Sequence, residues 1–192
     1  NRIIKMTEII IGDLTNREHT NAIIKLSITH NFYIDPIWNM VLRKFSPPLL
    51  RQLRNAGWSQ ERIEYEEANQ FRKYDYYNWE CRLLKKDGVI IGFTFWDYPK
   101  KPKDEGLGCC LEFLLVDEAH RGNKYGKLLM DDFIVWADAN KPKIKIQFPK
   151  ADRLLIKFYT KYGFKFDVVE NEKDRDPNAE QGGLVEWYRI KN

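Results

Sequence analysis

The sequence predicts an α+β domain built on a mixed, mostly antiparallel sheet flanked by helices, one domain over residues 1–192. Three observations carry this. Two β-rich runs, Trp79 to Lys86 and Val89 to Trp96, are separated by Asp87-Gly88, a strong hairpin signal. From Lys124 onward, helical and strand periods alternate, so crossovers replace hairpins later in the chain. At 192 residues, with neither internal repeat nor linker, the chain is the size of about one domain and can build its own core.

The elements follow in order. Residues 3–11 are rich in β-branched side chains and stop at Gly12-Asp13, which reads as a strand. Thr15 is an N-cap candidate for a helix carrying Ala22, Ile23 and Leu26 on one side. Pro36, Pro47 and Pro48 then punctuate a stretch holding Trp38, Met40, Leu42 and Phe45. Ser59 starts a helix towards Phe71. After the Asp87-Gly88 hairpin and the polar loop Tyr98 to Glu105 comes a third strand, Leu107 to Val116. Lys124 to Asn140 places Tyr125, Leu128, Leu129, Phe133, Trp136 and Ala137 at helical spacing, and Lys143 to Phe148 alternates as a strand does. Ala151 to Tyr162 is a helix with Leu154, Leu155, Phe158 and Tyr162 on one face, and Gly163 sits at its C-cap. Phe164 to Val169 and Leu184 to Ile190 are strands, joined by the acid-rich loop Glu170 to Gly183.

Composition narrows the function. The chain has 11 Phe, 10 Tyr and 6 Trp, more burial than a disordered segment carries. Its longest apolar run, Phe133 to Ala137, is far short of the roughly 20 residues that span a bilayer, so no membrane partner is expected. Asn1 to Lys5 carries no apolar leader, and Cys81, Cys109 and Cys110 have no metal-ligand spacing, so a reducing, cytoplasmic setting and no metal are expected. Net charge is +4, from 32 Lys+Arg against 28 Asp+Glu. That suits a polyanion of modest size and lacks the concentrated basic stripe of a nucleic-acid binder.

The chemistry concentrates in Leu114-Leu115-Val116-Asp117-Glu118-Ala119-His120-Arg121-Gly122-Asn123-Lys124-Tyr125-Gly126-Lys127. A buried strand runs into a glycine-containing turn that opens a helix. Backbone N–H groups at a helix start lack partners within the helix, and the helix dipole favours an anion there. Gly122 and Gly126 allow close approach, and Arg121, Lys124 and Lys127 add positive charge. As a physical pattern this reads either as a plain turn or as a pyrophosphate cradle.

The same residues resemble the general N-acetyltransferase (GNAT) superfamily. Its acyl-CoA signature is Arg or Gln, two residues, Gly, one residue, then Gly or Ala, and it falls on Arg121, Lys124 and Gly126. Leu114 and Val116 match the family strand that pairs with the pantetheine arm. Downstream, Phe158-Tyr159-Thr160-Lys161-Tyr162-Gly163-Phe164 resembles the family's Phe-Tyr-x-Lys-x-Gly-Phe segment. The likeness covers roughly residues 80–169. Two departures stand out: Lys124 replaces the usual Gly, and Asp152 replaces an Asn seven residues before the Tyr. A helical φ at Lys124 would make the first departure harmless and let the lysine reach a phosphate; the alternative is a weakened site.

The resemblance implies a GNAT-like fold and an acyl-CoA-dependent N-acyltransferase that moves an acetyl group from acetyl-CoA to an amine without a covalent enzyme intermediate. The cofactor-binding residues would be Leu114, Leu115, Val116, Arg121, Gly122, Asn123, Lys124, Tyr125, Gly126 and Lys127. The acceptor would be a small-molecule or peptide amine, and the protein a monomer or homodimer. At pH 7 about one lysine-like amine in 2,500 is neutral, so deprotonation costs on the order of 4.6 kcal/mol. Glu112, on the strand entering the cradle, is the candidate base, its alternative being a solvent-facing carboxylate. Tyr159 is the candidate donor to the leaving sulfur, its alternative being a packed helix-face aromatic. Full proton transfer from a phenol to a thiolate is uphill by about 2 kcal/mol, so hydrogen bonding is the expected role.

Other residues read more simply. His120 is expected in an exposed turn and Cys109-Cys110 as small apolar core residues. The Lys100 to Lys103 run reads as a solvated loop or a contact for the CoA 3′-phosphate. Tyr74, Tyr76, Tyr77, Trp79 and the segment His30 to Phe71 read as core and substrate wall. Glu170, Glu172, Asp174, Asp176 and Glu180 form a solvated loop or attract a cationic acceptor. A non-catalytic acyl-CoA-binding or protein-interaction module is the alternative to the enzyme.

Overall fold

The hairpin at Asp87-Gly88 forms with both residues at positive φ (52° and 84°), the backbone that a two-residue turn needs to match the strand twist. Around it the computed structural model describes residues 6–31, 34–101, 106, 108–149, 152–166 and 184–190. The elements run β1 (Thr7–Ile11), α1 (Arg17–Thr29), α2 (Ile34–Leu42), α3 (Pro47–Asn55), α4 (Gln60–Arg72), a 3₁₀ turn (Lys73–Tyr76), β2 (Tyr77–Lys86) and β3 (Val89–Pro99). They continue β4 (Cys109–Val116), a second 3₁₀ turn (Glu118–His120), α5 (Tyr125–Asn140), β5 (Lys143–Pro149), α6 (Arg153–Thr160), β6 (Lys165–Phe166) and β7 (Leu184–Ile190).

Among the described residues the sheet has seven strands in the order β1-β2-β3-β4-β5-β7-β6. All neighbours are antiparallel except β4 and β5, the pair joined by the α5 crossover. The fold class is therefore the one expected. Two local expectations are corrected. Asn16, not Thr15, caps α1: its Oδ1 accepts N–H bonds from Glu18 and His19, while the Thr15 hydroxyl and N–H both go to Asp13. The proline-punctuated stretch is also helical. Pro36 is the third residue of α2, and Pro47 and Pro48 open α3 behind Ser46, whose Oγ accepts the Leu49 N–H at 3.3 Å. A proline in the first turn gives up an N–H that has no partner in the helix anyway. Ser59 starts α4 as expected, its Oγ accepting the Arg62 N–H at 3.2 Å.

The core lies on both sheet faces. On one, Ile23 and Leu26 of α1 and Ile37 and Met40 of α2 pack on Leu83, Phe93, Phe95, Phe113 and Leu115. On the other, Met130, Phe133 and Ala137 of α5 and Tyr159 of α6 pack on Trp96, Cys109, Leu111, Ile144 and Ile146. Several expectations lie outside the described residues: the strand extensions at Ile3–Lys5 and 167–169, Pro102 and Lys103 of the lysine-rich run, Leu107, Ala151 and the acid-rich loop 170–183. Among the described residues no helix is long and apolar enough to cross a membrane.

Candidate functional site

The site begins with an irregularity in β4. Phe95 pairs with Phe113 and the next residue, Trp96, pairs with Leu111, so Glu112 is an extra residue bulged out of the ladder. A bulge bends its strand. Leu111 consequently packs with α5 and Phe113, two residues on, with α1 and α2. β5 stays beside β4 only over Cys109–Leu111, paired with Ile144–Ile146. Beyond that point the strands part. From Glu112 to Val116, no described strand pairs with β4 on that side, while β5 continues along β7 to Pro149.

A cavity of about 860 Å³ lies along this exposed edge, within the range of ligand pockets. Leu114, Leu115 and Val116 line one side, the turn and first helical residues from Arg121 to Lys127 another, and Leu155, Phe158, Lys161 and Tyr162 of α6 and its C-terminal turn a third. Four of the lining side chains, Arg121, Lys124, Lys127 and Lys161, are cationic, and none is acidic. α5 starts without a side-chain cap, so its first N–H groups are left for a ligand. The loop is folded by its own contacts: Arg121 Nε donates to the Val116 carbonyl at 3.1 Å, and Asn123 Nδ2 to the carbonyls of His120 and Arg121 at 3.0 and 3.2 Å. Asn123 thus shapes the loop and is not part of the cavity lining, unlike the other nine residues expected at the cofactor.

Lys124 does not take the helical φ that the sequence reading allowed. It lies in the left-handed region, φ 63° and ψ 14°, the conformation that glycine would supply without steric cost. The loop is thus made despite the substitution, and Lys124 is among the residues that line the cavity.

On the opposite sheet face, Asp97 of β3 and Cys110 and Glu112 of β4 bring their side-chain ligand atoms within 4.8 Å of one another. Glu112 is half-buried and Asp97 only 8% exposed. Burial and then the Glu112 charge push the Asp97 carboxyl up to about 7, against the opposing pull of Lys145 and the Cys110 N–H. Asp97 carried no signal in the sequence, where it reads as the end of a hydrophobic strand. The cysteines behave as expected of core residues: burial raises Cys109 to about 12 and Cys110 well above the ordinary thiol.

The two tyrosines of the Phe158–Phe164 segment divide. Tyr159 is 8% exposed, edge-on to Phe158 and Phe164, and is not among the cavity-lining residues. Tyr162 lines the cavity and donates its hydroxyl to Asp131 of α5 at 2.8 Å. Burial and that carboxylate raise its pKa. Sequence periodicity marked Tyr162 only as a helix-face residue. His120 lies beside the cradle with Nδ1 3.5 Å from Asp117, and Lys101 rests over the Tyr76 ring. The expected C-cap is corrected: α6 ends at Thr160 with Lys161 as its C-cap (φ −62°), and Gly163, at φ 80°, lies two residues beyond in the turn that follows.

The model of the Acetyltransferase (GNAT) family matches residues 48–164 of the chain. No curated protein sequence matches it. Among solved structures, an inferred GNAT-family acetyltransferase from Desulfovibrio desulfuricans is 10% identical over 96% of this chain and 99% of its own, with a TM-score of 0.64. The ribosomal-protein-S18-alanine N-acetyltransferase from Escherichia coli is 11% identical over 96% and 94%, with a TM-score of 0.58. At these identities the likeness is one of fold. An inferred streptothricin acetyltransferase from Bacillus anthracis, solved with acetyl coenzyme A, is 22% identical over 59% of this chain. This chain spans 63% of that protein's length, at a TM-score of 0.45.

Proposed function

Because the chain belongs to the GNAT acetyltransferase family, which takes its acetyl group from acetyl-CoA, we propose that it acetylates an amine by direct attack on the bound thioester. The observation that carries this is the parting of β4 and β5 beside a cation-lined cavity that ends at the uncapped start of α5. An open strand edge suits an amide-containing arm, and N–H groups at a helix start with Lys124 and Lys127 suit its diphosphate. Arg121, Gly122, Tyr125 and Gly126 complete the cradle, and Leu114, Leu115 and Val116 supply its apolar wall.

The cavity lies on the α5–α6 face and the carboxylates on the α1–α2 face, so thioester and amine would meet at the gap where β4 leaves β5. Glu112, bulged at that gap, would take the ammonium proton directly or through a water. The neutral amine then attacks the carbonyl carbon, and the C–S bond breaks to release thiolate. Tyr159 is the proposed hydrogen-bond donor to that sulfur, on the strength of its place in the Phe-Tyr-x-Lys-x-Gly-Phe segment. Tyr162, already engaged by Asp131, is assigned to holding α6 against α5.

The test is calorimetric titration with acetyl-CoA, followed by thiol release and product mass over a panel of small amines and peptides. Acetyl-CoA binding, amine-dependent thiol release and a Tyr159→Phe variant that keeps its affinity but loses at least tenfold in kcat are expected. Binding without turnover on any amine would make the chain a non-catalytic acyl-CoA-binding module. No binding at millimolar acetyl-CoA would remove the cavity assignment.

A further inference from the structure

We propose that Asp97 is part of the proton-accepting machinery, forming with Glu112 a pair of adjoining carboxyls, Glu112 nearer the amine and Asp97 behind it. This rests on the acetyl transfer proposed above and adds a residue that no motif marks. Trp79, Asp97, Cys110 and Lys145 stand opposite one another across β2, β3, β4 and β5, a single row on the α1–α2 face. Glu112, two residues on from Cys110 and left without a partner in the ladder, brings a second carboxylate beside that row at the point where β4 and β5 separate.

A carboxyl as buried as Asp97, with the Glu112 carboxylate this close, does not ionise readily, so a proton that reaches Asp97 is held there. The groups bearing on Asp97 are Tyr77 of β2, Cys110 and Glu112 of β4, and Lys145 of β5. Lys145, the cation among them, keeps Asp97 from holding its proton too tightly. Asp97 itself is pushed up to about 7, where a base is best matched to an amine. In the step itself an ammonium N–H bond breaks and the proton goes to a carboxylate oxygen of the pair. The freed lone pair forms the new N–C bond, the C–S electrons leave with the sulfur, and the second proton shed by the acylated nitrogen goes to that thiolate, leaving amide and free thiol. Asp97 acts through Glu112 and is therefore a positioning residue.

Two measurements test the pairing. First, the carboxyl carbons of the free protein are titrated by NMR in the wild type and in Glu112→Gln. Asp97 is expected to titrate near 7 in the wild type and at least one pH unit lower in Glu112→Gln. Second, kcat/KM against pH is compared for wild type and Asp97→Asn, with acetyl-CoA affinity as a control. Asp97→Asn is expected to lower kcat/KM at pH 7 by about 10²-fold. Its acidic limb should move down by more than one unit, and its acetyl-CoA dissociation constant should stay within twofold. An Asp97 carboxyl that titrates in the ordinary carboxylate range overturns the pair whatever the kinetics show, and decides the matter should Asp97→Asn not fold. A wild type that turns over normally while Asp97→Asn keeps the same pH profile removes the pair and leaves acetyl transfer standing. A wild type that acetylates no amine removes both.

Discussion

Lys124 holds a backbone conformation that a β-carbon disfavours, and its side chain is what the site gains in return. A non-glycine residue in the left-handed region costs roughly 1 kcal/mol. Lys124→Gly should therefore raise stability by up to about 1 kcal/mol in urea unfolding, less the entropy that glycine adds to the unfolded chain. The same change should weaken acetyl-CoA binding in calorimetry, because a cavity cation is lost. Equal or lower stability would mean that the loop stores no strain at this position. Asp97 makes a second prediction, on pH. Its folded pKa of about 7 lies above the ordinary 3.8, so the native state binds the proton more tightly than the unfolded chain does. The associated stability is full below about pH 4 and is lost as pH rises through 7. Asp97→Asn, always neutral, should thus exceed the wild type in stability at pH 8 by on the order of a few kcal/mol, and the gap should close towards pH 5. Unfolding free energies at the two pH values check this, and a gap that widens on acidification would contradict it.

Among the elements, the connection from β4 to α5 does most to shape the site, and it is held from outside as well as within. His30, at the C-terminus of α1 and nearly buried, turns Nε2 towards the Glu118 N–H at 3.4 Å and the Asp117 carboxylate at 3.6 Å. Partial burial tends to raise Asp117, but a bond from the Ala119 N–H and the neighbouring imidazoles of His120 and His30 outweigh it and hold the carboxylate below its ordinary range. The α1 helix, which packs on the Asp97 side of the sheet, is thereby tied to the loop proposed as the cofactor cradle. His30→Ala should loosen that loop. Acetyl-CoA dissociation constants should rise about fivefold, equivalent to roughly 1 kcal/mol, with kcat at saturation unchanged and faster amide exchange at 118–121. His30→Gln, which keeps an acceptor for the N–H, should recover part of the affinity. An unchanged dissociation constant in His30→Ala would show that the loop folds without help from α1. On the far side of the cavity, the Tyr162–Asp131 bond performs the corresponding task between α6 and α5.

For the molecule as a whole, distant segments are joined across the sheet. Arg82 of β2 reaches Asp132 of α5 at 3.3 Å, and Arg189 of β7 forms a two-point ion pair with Asp138 of the same helix. The cleft between β4 and β5 opens where β4 bends at Glu112, while β5 continues along β7. Local patterns made much of this legible. Alternation and the Asp87-Gly88 turn marked β2 and β3, 3.6-residue spacing marked α5 and α6, and the Arg121 to Lys127 stretch marked the cradle, because each depends on residues near one another in sequence. α2 and α3 were not legible, since proline suggests a break and only the structure shows that Pro36, Pro47 and Pro48 fall in first turns. The sequence by itself determined the order of elements from β2 onward, the hairpin, the resemblance to an acyl-CoA signature and the loop rich in cations. Tertiary structure decided the rest: the left-handed backbone of Lys124, the burial of Tyr159, the His30 contact and the meeting of Asp97 with Glu112. Asp97 and Glu112 are 15 positions apart on different strands, and their approach depends on strand register and on one bulged residue. Neither leaves a periodic trace in the chain, because pairing across a sheet is set by which strands become neighbours.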